Sequence, residues 1–358
     1  MKIGILTHHY VSNYGAFLQT YSLQKYLQKQ FPTDEVKVIN YINRKHSLIN
    51  KLGWLRLNPK NESIKEYFKK IKVPFVFKKI EKEYLKTTKK VYTAEQVNKL
   101  NFDIIIIGSD EVWHYQDKKA YDPIKFGYGL KCKNIIAYAP SMGSSELSNI
   151  PQEILEGIKN IKSFSARDNK AETFVNQILK KECTRVLDPT LLINLEEYNS
   201  NTIEKIKKEK YILMYYCDNI TKKVKNEIIA YAKNNNCKIY GAGESKKWFD
   251  KSFIDINPFE WAEMFKYAEC IFTGTFHGTV FSIKNKKNFY NYLTNKSRIN
   301  KVKSLLQELK IEDRNIANKA KMEKKTNYTE YDKIINQRVK ESEDYINKSI
   351  SKSCKGEK

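Results

Sequence analysis

His277 is the residue in this chain whose surroundings most favour chemistry. It follows Cys270-Ile271-Phe272-Thr273-Gly274-Thr275-Phe276 and precedes Gly278-Thr279-Val280-Phe281, so an apolar strand gives way to a helix at a histidine. In open α/β sheets such junctions bind ligands, and helix N–H groups without intrahelical partners favour an anion there. Histidine titrates near neutrality and can donate a proton at that point. Gly274 and Gly278 relax the turn, with Thr279 expected to cap the helix. A buried histidine bonded to a backbone carbonyl is the structural alternative.

Three other clusters carry polar groups at the ends of apolar runs. Gly108-Ser109-Asp110-Glu111-Val112-Trp113 follows Ile104-Ile105-Ile106-Ile107, where Asp110 would act as base or hydroxyl acceptor and Trp113 would stack on a ligand or staple the loop. Arg167, in Ser165-Ala166-Arg167-Asp168, suits a bidentate clamp on carboxylate or phosphate, against the alternative of an ion pair with Asp168 or Asp188. Asn13-Tyr14-Gly15-Ala16 ends the first loop, with Gly15 allowing close backbone approach, and it is not a dinucleotide fingerprint. Lys296, Arg298 and Lys301 lie beyond a late strand as further cation candidates or a solvated face. His8 and His9 are adjacent without a third ligand nearby, so no metal site is expected.

These residues need a scaffold that delivers loops to one edge. Lys2–Thr7, a helix through Leu18 and Leu27, and residues 36–41 form a βαβ opening, and residues 103–107, 134–139 and 164–168 add parallel strands. Asp188-Pro189 closes this half, which is expected to span residues 1–195 with a Lys- and aromatic-rich helical insertion at about 44–92. After a basic helical stretch, Tyr211–Tyr216 restarts the pattern over residues 205–325, with strands at 237–240 and 288–292. Residues 326–358 read as a lysine-rich terminal helix with a frayed tail, packing back across a domain. The expected fold class is α/β: two Rossmann-like doubly wound domains facing a cleft.

Composition narrows the partners. The 358 residues carry a net charge of +24, which favours acidic partners such as phosphorylated substrates or anionic lipid. Nucleic acid is not among the expected partners, because no recognition motif is present. The six cysteines include no C-x-x-C pair and read as reduced cytosolic thiols. No run approaches a bilayer span, and the N-terminus lacks a signal-peptide pattern, so a cytoplasmic protein with peripheral contact at an anionic inner membrane face is expected.

Taken in order, Asn13-Tyr14-Gly15-Ala16, Gly108-Ser109-Asp110-Glu111-Val112-Trp113, Ala137-Tyr138-Ala139 with Ser141 and Gly143, Ser165-Ala166-Arg167-Asp168, Asp188-Pro189-Thr190 and Phe276-His277-Gly278 resemble the polysaccharide pyruvyl transferase family over residues 1–315. That resemblance implies a GT-B-like arrangement and transfer of the pyruvyl unit of phosphoenolpyruvate to a sugar as a ketal. It implies no cofactor beyond this co-substrate, and a saccharide or lipid-linked glycan acceptor of a cell-surface or exported polysaccharide. His277 and Asp110 would be catalytic, and Arg167, Asn13, Gly15, Gly108, Ser109, Ser141, Thr275, Gly278, Thr279 and Arg298 would bind substrate. The chain departs from some relatives at Thr275, where they carry arginine, and at Glu111, where glutamine is common. A nucleotide-sugar glycosyltransferase and a non-catalytic acidic-glycan-binding protein are the competing functions.

Overall fold

The computed structural model describes residues 1–60, 62–294, 296–315, 326 and 328–355, with the side chains of 296, 297, 330, 354 and 355 left aside. The chain divides into two compact units. Unit 1 comprises 1–50, 81–195 and 334–358, and unit 2 comprises 51–80 and 196–333. The lysine-rich stretch 44–92 is thus shared between the units, and the boundary expected at 325 falls outside the described residues.

Unit 1 is built on six parallel strands: β1 (Lys2–Leu6), β2 (Glu35–Val38), β3 (Ile104–Ile107), β4 (Asn134–Ala137), β5 (Ile161–Ala166) and β6 (Thr184–Arg185), in the order β2-β1-β3-β4-β5-β6. The period of two along β3 explains why four consecutive isoleucines suit its central place. Ile105 and Ile107 enter the core on one face with Trp113 and Phe126, while Ile104 and Ile106 enter the other with Leu23 and Leu27. Each fully buried isoleucine stabilises the sheet by about 1.5–3 kcal/mol.

The terminal helix, Thr329–Lys355, closes the second of these faces. Ile346 and Ile350 join that core, Tyr345 donates to the Ala137 carbonyl at 2.9 Å, and the Ser342 hydroxyl accepts from Leu187 N–H at 2.8 Å. It therefore packs back onto unit 1, as its periodicity predicts.

Among its described residues unit 2 holds five parallel strands: β7 (Tyr211–Tyr215), β8 (Lys238–Ala242), β9 (Lys251–Phe253), β10 (Cys270–Thr273) and β11 (Asn288–Asn291), in the order β11-β10-β7-β8-β9. The short β9 carries no apolar run and is missed by pattern reading. The basic stretch before β7 is helical only over Asn201–Ile206. Trp261, Phe265 and Phe281 pack as an aromatic cluster, with ring centroids 4.5–6.0 Å apart.

The strand orders locate the functional edges. In unit 1 the chain steps from β1 outward to β2 and returns to β3 on the other side of β1. In unit 2 it steps from β7 to β8 and β9 and returns to β10 on the other side of β7. Loops leaving the two strands at such a reversal diverge and open a crevice at the carboxyl edge. The exits of β1 and β3, and of β7 and β10, are therefore the edges where a ligand would bind.

Candidate active site

At the exit of β10 the side chain of Thr275 accepts from Gly278 N–H at 3.0 Å and caps the helix Phe276–Lys284. Thr275, and not Thr279, is thus the cap, because the helix begins one residue before His277. Thr279 lies one turn in, its N–H donating to the Thr275 carbonyl and its hydroxyl accepting from Asn291 at 2.7 Å. The N–H groups of Gly278 and Thr279 are therefore spent on Thr275. Gly278 is required by packing rather than by a relaxed turn, since a Cβ there would lie 2.1 Å from Thr273 Oγ1. His277 occupies the first turn of this helix, mostly buried, with its ring edge-on to Phe276 at 5.4 Å.

The neighbouring exits of unit 2 add charge. Arg298 reaches Asp218 at 2.8 Å and the Tyr216 carbonyl at 3.4 Å, so it is an ion-pair partner at the end of β7. Glu244, just beyond β8, is half-buried with 9% of its side chain exposed, and accepts from the Tyr216 N–H. Burial pushes its carboxyl up to about 7, against the nearby Lys246 ammonium 3.9 Å away. A carboxyl poised near neutrality at a sheet's carboxyl edge is suited to acid–base work. Sequence reading missed it, although it directly follows the strand-ending Gly241-Ala242-Gly243.

In unit 1 the anion clamp expected of Arg167 is already filled by the chain itself. Its guanidinium meets Asp188 at 2.6 Å and Asp110 at 2.8 Å, and lies 3.4 Å from the Ser109 hydroxyl. Both flanking charges hold it firmly protonated despite burial. Asp188 is fixed in turn, since its other oxygen accepts from the backbone and hydroxyl of Thr190. Asp110 stands at φ +83 and directs both of its bonds to Oδ1, from Arg167 and from the Glu111 N–H.

The remaining unit 1 candidates build this loop. Gly108 has φ +117, and a Cβ on it would lie 2.1 Å from the Tyr138 carbonyl oxygen, so only glycine fits. The Ser109 hydroxyl donates to Ala139, and its carbonyl accepts from Thr7 at 2.8 Å, joining the exits of β1 and β3. Ser141 N–H donates to Asp110, while the Ser141 hydroxyl accepts from Gly143 N–H. Asn13 caps the helix Tyr14–Gln30 by accepting from Ala16 N–H at 3.0 Å, and Gly15 lies inside that helix rather than in the loop. Trp113 is wholly buried and donates to the Lys125 carbonyl at 2.9 Å, which staples the loop and removes the ring from any ligand. Among the described residues no three His, Cys, Asp or Glu side chains are grouped to hold a metal ion.

Two doubly wound units, each with acid–base groups at its strand reversal, define an α/β protein of the Rossmann-like class. The sequence matches the family described as polysaccharide pyruvyl transferase over residues 13–297. The chain belongs to that family, and it is a transferase. Among curated proteins none matches the sequence. Of solved structures, it is similar to the UDP-GlcNAc 2-epimerase of Neisseria meningitidis at 12% identity and TM-score 0.49, covering 98% of this chain and 100% of that one. It is also similar to the glycosyltransferase SnogD of Streptomyces nogalater at 8% identity and TM-score 0.45, covering 96% of each chain. A third likeness is to the E. coli ADP-heptose lps heptosyltransferase II, at 7% identity and TM-score 0.41, covering 84% of this chain and 88% of that one.

Proposed function

We propose that the protein transfers the pyruvyl unit of phosphoenolpyruvate to two hydroxyls of a saccharide or lipid-linked glycan, forming a ketal. The observation that carries this reading is His277 in the first turn of the helix at the β10 exit, within a chain of this family. The helix N-terminus favours the anionic donor, and His277 protonates its methylene carbon. The oxocarbenium centre at the neighbouring carbon is attacked by one acceptor hydroxyl, and a second hydroxyl then displaces phosphate, its proton returning to the His277 imidazole. Asp110, whose Oδ2 is not used by Arg167 or Glu111, takes the proton of an acceptor hydroxyl. Arg167 acts as a positioning residue that holds Asp110 in place, instead of the donor clamp that the sequence led us to expect. Nothing in this sequence of steps calls for a metal or a further cofactor.

The reading also puts the reaction in the cytoplasm, at an anionic membrane surface. Among the described residues eleven large apolar side chains are exposed, and Leu52, Leu55, Leu57, Ile64, Phe68 and Phe75 all fall in the 51–80 segment of unit 2. That segment has nine Lys or Arg against two Glu. Apolar side chains interleaved with lysine suit the headgroup region of an anionic bilayer, where a lipid-linked acceptor would be found. No described helix is long and apolar enough to cross a membrane.

The test is a mass-spectrometric screen of phosphoenolpyruvate with candidate acceptors, seeking a product heavier by pyruvate minus water. Replacing His277 with Ala should lower phosphate release by about 10²–10⁴-fold. Parent-like turnover in that variant, or transfer from nucleotide sugars with none from phosphoenolpyruvate, would overturn the proposal.

A further inference from the structure

The exits of β1 and β3 in unit 1 also contain a cation that no step above uses. Lys125 is completely buried, and among the described residues its Nζ has no hydrogen-bond partner. It lies over the ring of Tyr10, whose centroid is 5.7 Å from Nζ. Two carboxylates act on it through space, Asp122 more than Asp110, but neither is hydrogen-bonded to Nζ, and Asp122 Oδ2 accepts instead from Tyr41 and from Asn43, each at 2.9 Å. Around Tyr10 sit two histidines: His8 stacks on it at 6.5 Å, and His46 is edge-on to His8 at 5.1 Å and bonded to the Tyr10 hydroxyl at 3.1 Å. Among the described residues the Nε2 of the buried His8 also has no hydrogen-bond partner.

We infer that Lys125 and His8, framed by Tyr10 and His46, form a second binding site in unit 1 that takes the carboxylate or phosphate of an anionic saccharide acceptor. A buried ammonium without a hydrogen bond is costly, and so is a buried imidazole nitrogen without one; an anion held between them would satisfy both. Burial lowers Lys125 only to about 8, so it remains mostly charged at neutral pH. Burial and the Lys125 charge hold His8 well below its ordinary value, and His46 stays near 4, so both rings are neutral and Lys125 supplies the positive charge. The loop that carries Lys125 also carries Asp110, so an acceptor anchored here by its anion would bring its hydroxyls toward the proposed base. The inference rests on the acceptor half of the proposed function, and it names the acceptor's class as an acidic saccharide.

The experiment is calorimetric titration, without phosphoenolpyruvate, of glucuronate, inorganic phosphate and glucose into the full chain, its Lys125→Met and His8→Leu variants, and His8→Gln. Glucuronate or phosphate should bind and glucose should not, and the two anions distinguish a uronic acceptor from a phosphorylated one. Lys125→Met should weaken binding by about 10–100-fold while keeping a single cooperative melt, because the substitution breaks no hydrogen bond of Nζ. His8→Leu should weaken it about tenfold and His8→Gln should retain it, since the glutamine amide restores a donor. Glucuronate affinity should fall as pH rises through about 8, with His8, His9, His46, Tyr10, Tyr41, Glu111, Asp110 and Asp122 as the other groups around the ammonium. Equal affinity in parent, Lys125→Met and His8→Leu, or no binding of either anion, would overturn the inference. Because no donor is present, a failure of pyruvyl transfer leaves this result intact, and ketal formation on neutral sugars with no anion binding would sink this site alone.

Discussion

Arg167 Nη1 lies 2.6 Å from Asp188 Oδ2, with 1% and 0% of the two side chains exposed. An ion pair this deep is weak evidence of net stabilisation, because both groups were desolvated to make it. Its worth is in geometry: with Asp188 behind it, the guanidinium presents its other nitrogen to Asp110, whose side chain is 17% exposed. A residue that sequence alone marks as a substrate clamp is thereby the inner link of a chain from Thr190 through Asp188 to Asp110.

Asp188→Asn should therefore act on stability before it acts on chemistry. Removing one partner of a buried pair costs about 3–5 kcal/mol, which denaturant titration will resolve. Asp110→Asn should cost less, as its carboxylate is partly solvated, yet lower the rate with acceptor. Parent stability in the Asp188 variant would show that Arg167 does not depend on this pair and would return the clamp to consideration.

Glu244 gives a pH signature of opposite sign to most carboxylates. Its folded value of about 7 exceeds the ordinary 4.5, so between those two pH values the folded chain binds more protons than the unfolded one. Stability from this group falls as pH rises from about 4.5 to about 7 and is constant above. Glu244→Gln, which cannot ionise, should abolish that loss and be the more stable protein at pH 8, by roughly 1–3 kcal/mol. Unfolding curves for both proteins at pH 5 and pH 8 provide the check, and an unchanged difference between the two pH values would contradict it.

Much of this arrangement is legible in the residues. Four isoleucines in a row ending in Gly108-Ser109-Asp110 can hardly be other than a central strand with a functional exit, and the structure puts β3 there, beside β1. The expectation at Phe276-His277 was equally direct, because Gly, Thr and His at the end of an apolar run mark a strand-to-helix junction. Local signals went wrong by one turn where two threonines competed: either Thr275 or Thr279 has cap chemistry, and only the position of the first helical residue decides. Pairing was less accessible. Which of Asp168, Asp188 and Asp110 meets Arg167 depends on the register of β5 and β3 across the sheet, which periodicity does not encode. Lys125 was invisible for another reason, since one buried ammonium among 65 Lys and Arg looks like the rest until the fold closes over it.

The exposed apolar side chains of the 51–80 segment lead to the last prediction. Ile64 and Phe68 are one helical turn apart on Ile64–Lys70 and stand 75% and 56% exposed, and Phe75 is 75% exposed on the following helix. Water gives these rings nothing, whereas burial in a headgroup layer is worth about 1.5–3 kcal/mol for a phenylalanine. Nearby lysines add attraction of about 1 kcal/mol each to an anionic surface, and this part is screened by salt. The full chain should therefore co-sediment with vesicles containing anionic phospholipid, and much less with purely zwitterionic ones. Phe68→Ser and Phe75→Ser should each weaken that binding by about tenfold while leaving the charge, and hence the salt dependence, unchanged. Lysine charge without insertion predicts the opposite pattern: binding that high salt abolishes completely and that neither serine variant alters.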